Sequence, residues 1–271
     1  MTRIAVLQAT SGIDPEANAA FIVSRMDAAA KSGARMMFTP EMSGLMDRDR
    51  TRAMGRIVCE EEDIVLAAVR DAAARMGLWI ALGSLAVIRE DGRWANRSFV
   101  IDGTGSIVAR YDKIHMFDVD LANGETWRES SAYVPGDRIV TVESPVGKLG
   151  LAICYDIRFP AMFDALGREK CDVIAIPAAF TVPTGKAHWH LLQRARAVEA
   201  SAYVVAAAQV GLHDDGRRTY GHSLVVDPWG DVLLDMGEQA AGVAFTEIGP
   251  SRITEVRAQL PSLANRRTIT S

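Results

Sequence analysis

A cysteine, a glutamate and a lysine each follow a predicted strand, and together these residue types can attack and cleave an amide. Cys154 ends the apolar run that begins at Leu149 and precedes Pro160, a residue favoured in the first turn of a helix. We therefore predict that Cys154 lies at a strand-to-helix turn, where backbone N–H groups such as that of Tyr155 can stabilise an anion. The alternative is an inert buried cysteine, which is the commoner state of a free thiol.

The glutamate and the lysine supply the two other functions that a cysteine nucleophile needs. Glu41 follows the apolar run Met36 to Thr39 and Pro40, where a carboxylate could take the thiol proton and later return it to a leaving amine. Lys113 follows the run Ile107 to Tyr111, where an ammonium could stabilise a thiolate and a tetrahedral oxyanion. Taken singly, each residue has a plainer interpretation, a helix-capping or exposed carboxylate and a surface lysine.

The segments that must position these residues alternate between strands and helices along the whole chain. Apolar residues at helical spacing predict helices at Pro15 to Lys31, Glu60 to Met76, Pro160 to Glu169 and around Ala187 to Ala200, with short apolar strands between them. A polar segment from His115 to Asp137 is long enough to be functional. We predict an α/β fold, a four-layer α-β-β-α sandwich of two mixed sheets with outer helices.

Composition limits the class of protein. The 271 residues are 49% hydrophobic and no linker divides them, so we expect a single domain over 1–271 with a C-terminal tail from about 261. The net charge of −4 and the scattered basic residues argue against nucleic acid as a partner. No apolar run reaches membrane-spanning length, and the start lacks the apolar region of a signal peptide. Three cysteines then indicate reduced thiols, and we expect a cytoplasmic protein.

Three motifs resemble the catalytic segments of the nitrilase, or carbon-nitrogen hydrolase, superfamily. They are Phe38-Thr-Pro-Glu41, Tyr111-Asp-Lys113-Ile-His and Gly150-Leu-Ala-Ile-Cys154-Tyr-Asp-Ile-Arg158-Phe-Pro. The segments at Ala187 to Glu199 and at Tyr220-Gly-His-Ser are similar to the branch that holds ω-amidase and deaminated-glutathione amidase.

The resemblance implies a Glu41-Lys113-Cys154 triad without a cofactor or metal, on the same four-layer fold, and at least a homodimer. It also implies a second glutamate, matched by Glu129, with Glu125 nearby. Arg158 resembles an arginine that binds a substrate carboxylate; the alternative is a salt bridge to Asp156 or another loop carboxylate. Tyr155, Phe180 and Thr181 are then expected to contact the substrate.

The expected activity is an amidohydrolase that cleaves the primary amide of a small carboxylate through a cysteine thioester and releases ammonia. Deaminated glutathione is the preferred substrate. The alternative substrates are 2-oxoglutaramate and an N-carbamoyl amino acid. The alternative to an enzyme is a catalytically silent binding protein.

Two other features of the sequence suggest different chemistry. His188 and His190 form a His-x-His pair, but residues two apart on a helix face different directions and no third ligand is evident, so we predict no metal site. A cysteine hydrolase with His115 or His222 as its base is the other possibility, because imidazole commonly activates a thiol.

Overall fold

A computed structural model describes residues 1–122 and 124–267 of the chain. Six α-helices lie in the described residues: α1 (Pro15–Lys31), α2 (Arg50–Met54), α3 (Ile64–Met76), α4 (Pro160–Arg168), α5 (Val182–Ala200) and α6 (Pro250–Gln259). The strands of the first half are β1 (Thr2–Gln8), β2 (Met36–Phe38), β3 (Trp79–Ile88), β4 (Trp94–Ile101), β5 (Ile107–Asp112), β6 (Asp118–Asp120) and β7 (Thr126–Arg128). Those of the second half are β8 (Thr141–Ser144), β9 (Gly147–Leu151), β10 (Val173–Ala175), β11 (Tyr203–Ala206), β12 (Val210–Leu212), β13 (Arg218–Tyr220), β14 (Leu224–Val226), β15 (Val232–Asp235) and β16 (Gly242–Ile248).

The first large sheet is mixed and has the strand order β16-β1-β2-β3-β4-β5. Its central strands β1, β2 and β3 are largely buried on both faces, which explains why they read as nearly continuous apolar runs. In β1, Ile4 and Val6 face the second sheet, whereas Ala5 and Leu7 pack with the buried faces of α1 and α3. Side chains alternate across a strand, so one short segment contributes to both layers.

The second large sheet repeats this arrangement with the order β15-β14-β11-β10-β9-β8. In each sheet three parallel strands are flanked by antiparallel neighbours. Its outer face is covered by α4 and α5, whose Phe163, Leu166 and Trp189 are fully buried. The four-layer α-β-β-α sandwich predicted from the sequence is confirmed.

Several segments differ from the prediction near the catalytic residues. The strand predicted to reach Cys154 ends at Leu151, and Cys154 instead begins a short 3-10 helix that ends at Arg158. α5 begins five residues earlier than predicted because Pro183 is accommodated in its first turn. The polar segment from His115 to Asp137 contains the β6–β7 hairpin and a 3-10 turn.

Residues 260–267 run over the surface after α6. The tail expected from about 261 follows Gln259, the last residue of α6, and residues 268–271 lie outside the described residues. Within 1–122 and 124–267, no helix combines the length and the hydrophobicity that crossing a bilayer requires.

Candidate active site

Glu41 lies three residues after the end of β2, and only 4% of its surface is exposed. Its Oε1 accepts hydrogen bonds from Lys113 Nζ and Asn96 Nδ2, each at 3.0 Å, and its Oε2 accepts one from the Ala179 N–H at 2.8 Å. A β-carbon on Gly83 would come within 2.2 Å of the Pro40 carbonyl oxygen, so the absence of a side chain at Gly83 allows β3 to approach this segment. The carboxylate is therefore held in one orientation.

Lys113 directly follows β5 and is the cation at the centre of the site. Its Nζ lies 3.0 Å from Glu41 Oε1 and 2.8 Å from Glu129 Oε2, and 2% of the residue is exposed. Glu129 is itself fixed, because its Oε2 accepts the Phe117 N–H at 2.7 Å. The glutamate that the resemblance matched, Glu129, thus contacts both the lysine and the β6–β7 hairpin segment.

Cys154 lies on a strained turn at the edge of the second sheet. Its φ is +46°, which is uncommon for a residue with a side chain, and its N–H donates to the Pro177 carbonyl at 2.8 Å. Tyr155 occupies the first turn of the 3-10 helix, where backbone N–H groups have no acceptor within the helix. Cys154 therefore lies at a turn, as predicted, with Tyr155 directly after it in the 3-10 helix.

The charges around the thiol oppose its ionisation in the free protein. Burial, followed by the negative charge of Glu41, raises the pKa of Cys154 well above its ordinary value, and the Lys113 charge offsets only part of this effect. Burial also works against the charged form of Lys113, but Glu129 and Glu41 outweigh it and raise the pKa of Lys113 well above its ordinary value. Both shifts favour a neutral thiol beside a charged Lys113 side chain.

These residues line one cavity of about 290 Å³ that is open to solvent. All four residues predicted to bind substrate, Tyr155, Arg158, Phe180 and Thr181, line the same cavity. The Arg158 guanidinium lies 5.5 Å from the centre of the Phe180 ring and 6.0 Å from that of Tyr155. The structure brings every predicted site residue to a single opening.

The salt bridge weighed for Arg158 is not formed, because Asp156 is engaged elsewhere. Asp156 is fully buried and accepts hydrogen bonds from Tyr111 Oη at 2.6 Å, from the Ile153 N–H at 2.8 Å and from His115 through both its N–H and Nδ1. Arg158 Nη1 instead lies 3.3 Å from His188 Nδ1. Asp156 connects the turn that carries the cysteine to the strand end that carries the lysine.

Comparisons with known proteins agree with this geometry. Residues 3–258 match the carbon-nitrogen hydrolase family. The chain belongs to this family. A deaminated glutathione amidase of Yersinia enterocolitica is 37% identical over 271 residues, which cover 99% of this chain and 94% of that protein.

Two solved structures extend the similarity to three dimensions. The C. elegans NitFhit protein is 34% identical, has a TM-score of 0.89 and covers 98% of this chain, which spans 65% of the NitFhit chain. A mutant amidase from Nesterenkonia sp. AN1 is 25% identical with a TM-score of 0.80, covers 96% of this chain and 98% of its own, and carries acrylamide added to its active-site cysteine. This carbon-nitrogen hydrolase is therefore an amidohydrolase.

Sequence reasoning missed one residue of this carbon-nitrogen hydrolase site. Asn96 on β4 is 2% exposed, and its Nδ2 donates to Glu41 Oε1 at 3.0 Å and to Glu129 Oε1 at 3.2 Å. It therefore joins the two glutamates on either side of Lys113. The sequence feature that could have identified Asn96 is a side-chain amide within an otherwise apolar strand. Asn96 lies two residues before Ser98, so both side chains are on the same face of β4, and both are buried.

The histidines weighed as alternative bases lie outside the cavity. His115 is bonded to Asp156, and His222 Nδ1 lies 2.9 Å from Asp235 Oδ1. Neither lines the cavity that holds Cys154. The structure therefore favours Glu41 over a histidine as the group beside the thiol.

Proposed function

We propose that this amidohydrolase acts through a covalent thioester on Cys154, with Glu41 as the general base and acid and Lys113 as the cation of the oxyanion site. The observation that carries the proposal is the convergence of these three buried side chains on one open cavity. A neutral thiol next to a carboxylate suits a nucleophile that is deprotonated only as it attacks. No cofactor or metal is needed for these steps.

During acylation one proton moves from the Cys154 thiol to Glu41 and then from Glu41 to the leaving nitrogen. Glu41 accepts the thiol proton while the sulfur attacks the amide carbon, and the carbonyl oxygen becomes an oxyanion near Lys113 Nζ and the Tyr155 N–H. When the tetrahedral intermediate collapses, the C–N bond breaks and Glu41 returns the proton to the nitrogen. The amine leaves and the acyl group stays on the sulfur.

Deacylation uses the same groups with water as the nucleophile. Glu41 removes a proton from a water molecule that attacks the thioester. The C–S bond breaks to release the acid, and Glu41 returns the proton to the sulfur, which restores the thiol and the carboxylate. Glu129 and Asn96 are positioning residues, because they hold Lys113 and Glu41 at the required distance. Lys113 keeps its charge while Glu41 is protonated, since the Glu129 carboxylate still contacts it.

We further propose deaminated glutathione as the substrate. The Yersinia enterocolitica relative is named for this activity, and Arg158 offers a guanidinium for the 2-oxo acid end. The scissile bond of deaminated glutathione is a secondary amide, so the released product would be the amine of cysteinylglycine. The primary amide of 2-oxoglutaramate would instead release ammonia. The sequence analysis predicted both ammonia release and deaminated glutathione as the substrate, and an assay that follows cysteinylglycine and ammonia distinguishes the two.

A second cation at the cavity fits the second carboxylate of that substrate. Arg218 lines the cavity, its side chain is exposed, and within the described part of the chain no carboxylate pairs with it. Trp127 also lines the cavity, and its buried Nε1–H has no acceptor among the described residues. A substrate with carboxylates at both ends would use both arginines, whereas 2-oxoglutaramate carries only one carboxylate.

Substrate choice tests this assignment through two matched arginine variants. Arg158→Gln is expected to raise KM for both substrates by roughly 10- to 100-fold, because a charge-assisted hydrogen bond to the shared 2-oxo acid end is lost. Arg218→Gln is expected to raise KM for deaminated glutathione alone. The measurement is steady-state kinetics with release of cysteinylglycine and of ammonia followed separately.

Other outcomes would select another substrate. If wild-type protein cleaves an N-carbamoyl amino acid faster than either oxo acid, the deaminated glutathione proposal is wrong. If no amide is cleaved and a thiol probe fails to label Cys154 ahead of Cys59 and Cys171, the protein is a silent binder despite its family.

We also propose that the chain is a single domain that works in the cytoplasm as a homodimer or higher homo-oligomer. Leu191 and Val198 lie on α5 with 67% and 41% of their surfaces exposed, and Trp229, which is 48% exposed, precedes the turn at Gly230 that packs against Val198. Exposed apolar side chains on neighbouring elements are typical of a subunit interface.

Replacement of an exposed apolar side chain tests the oligomer. Leu191→Glu is expected to convert the dimer into a monomer, because a buried interface would then contain an unpaired charge. Sedimentation velocity of both proteins measures the change, and Leu260→Glu on the tail after α6 is the control for an exposed leucine elsewhere. A wild-type protein that sediments as a monomer contradicts the proposal.

A further inference from the structure

Three metal-binding side chains meet on the surface of α5, outside the catalytic cavity. They are His190 on α5, His222 before β14 and Asp235 at the end of β15. One ligand atom from each lies within 4.8 Å of the other two. None of the three lines the cavity that contains Cys154.

The Asp235 carboxylate presents one oxygen to both imidazoles. Asp235 Oδ2 lies 3.0 Å from His190 Nε2 and 3.1 Å from His222 Nδ1, and His222 Nδ1 also lies 2.9 Å from Asp235 Oδ1. The other oxygen, Oδ1, also accepts the Gly237 N–H at 2.9 Å, which fixes the carboxylate. The two nitrogens and Oδ2 thus form a triangle, as three protein ligands of a tetrahedral ion do.

The histidine rings are held in place by their surroundings. His222 has a φ of +53°, its carbonyl accepts the indole N–H of the fully buried Trp189 at 2.8 Å, and its ring stacks on Tyr220 with 4.5 Å between centroids. The His190 ring lies 5.0 Å from that of His222 at an interplanar angle of 75°. Strained backbone and oriented rings are common at binding sites.

We propose that His190, His222 and Asp235 bind a divalent transition-metal ion, with Zn²⁺ as the best match. Two imidazoles and one carboxylate are ligands that zinc accepts, and a water molecule would complete a tetrahedron. Zinc binds such nitrogens at about 2.0 Å, which places ligand atoms about 3.4 Å apart. The ligand atoms here lie within 4.8 Å of one another, so binding moves the two ring nitrogens closer together by up to about 1.4 Å. The side chains of His190 and Asp235 are 37% and 33% exposed, so the ion can enter from solvent.

Metal binding would replace the hydrogen bonds between the two imidazole rings and Asp235 with bonds to the ion. If both rings are neutral, neither has to lose a proton overall. In the metal-free site each ring donates an N–H hydrogen bond to the Asp235 carboxylate. When the metal binds, the proton moves to the other nitrogen of each ring, Nδ1 of His190 and Nε2 of His222, and the freed lone pairs bind the ion. The bound ion then links α5 to the β14–β15 hairpin.

Zinc titration of untagged, chelator-treated protein tests the site. Wild-type protein is expected to bind one Zn²⁺ per chain by calorimetry, and its Tm is expected to rise by about 5 °C at 100 times the dissociation constant. His190→Gln and Asp235→Asn are expected to weaken binding by more than about 100-fold, because two ligands remain. His188→Gln, two residues away and outside the cluster, is the matched control for binding and is expected to leave the affinity unchanged.

Cobalt distinguishes this site from the cysteines. Co²⁺ at two imidazoles and a carboxylate should give tetrahedral visible bands without a thiolate charge-transfer band. The proposal is overturned if wild-type protein binds no zinc at micromolar concentrations. It is also overturned if His190→Gln and Asp235→Asn bind as well as wild type, or if a charge-transfer band places the ion at a thiol.

Discussion

Replacing Cys154 with alanine is expected to lower amide hydrolysis by about 10⁵-fold or more, because the covalent route is lost and water must attack the amide directly. The fold should persist, since alanine tolerates the φ of +46° no worse than cysteine does and the sulfur is at the edge of a cavity. Release of amine is measured in steady state. Acid-quenched wild-type protein should also show the mass of an acyl adduct, and the variant should show none.

Cys171→Ala is the matched control for the loss of a buried sulfur. Cys171 is fully buried and packs beside Gly150, and burial raises its pKa to about 12, so it is an unreactive thiol outside the cavity. This variant should retain wild-type turnover. Appreciable turnover by Cys154→Ala, with the acyl adduct still present, would refute the assignment of Cys154 as the nucleophile.

The positions of Glu41 and Lys113 could be predicted because they depend on local sequence. Each follows a short apolar run, and β2 and β5 end within three residues of the charged side chain. Apolar runs of this length are buried strands, and a charged residue at the end of such a strand must find partners at the edge of the sheet. The sandwich itself follows from the same alternation of strands and amphipathic helices.

The contacts that organise the site could not be predicted, because they join residues far apart in sequence. Asn96 reaches both glutamates only when β4 is placed between β3 and β5. Glu129 lies in a polar segment without periodicity, and its orientation comes from a hydrogen bond to the Phe117 N–H. The family resemblance identified Glu129, whereas no local pattern did so.

The His188 and His190 pair also shows that sequence spacing cannot reveal contacts between distant segments. Helical spacing correctly predicted that His188 and His190 point apart, since His188 contacts Arg158 and His190 contacts Asp235. It could not show that His222 and Asp235 lie beside His190, because they belong to the hairpin that packs on α5. Absence of a metal was predicted from sequence spacing, but three-dimensional proximity determines whether ligands meet.

The charges around Cys154 predict that removal of the Glu41 charge affects thiol ionisation and amide hydrolysis in opposite directions. Lys113 contacts Glu129 as well as Glu41, so it should remain protonated when either carboxylate is removed. Glu41, in contrast, raises the pKa of Cys154 through its negative charge. A neutral side chain at position 41 would therefore leave a cation beside the sulfur and remove the anion.

Glu41→Gln is accordingly expected to lower amide hydrolysis by about 10³-fold while Cys154 remains open to alkylation. Hydrolysis fails because no group returns a proton to the leaving nitrogen or activates water. Alkylation persists because the pKa of Cys154 falls when the Glu41 charge is removed, so the thiolate forms at lower pH than in the wild type. The rate of iodoacetamide labelling as a function of pH measures this shift, and intact mass confirms the site.

Asn96→Ala provides the comparison, since it removes a neighbour of Glu41 without removing the carboxylate. Asn96→Ala should reduce hydrolysis less than Glu41→Gln does. The pH at which iodoacetamide labelling of Cys154 is half-maximal should also stay closer to the wild-type value. If the midpoint of Glu41→Gln moves to higher pH, or if labelling stops, then Glu41 is needed to generate the thiolate itself and its charge does not oppose ionisation. If instead Glu41→Gln hydrolyses amides as fast as the wild type, another group carries the proton, and the proposed Glu41-Lys113-Cys154 mechanism is wrong.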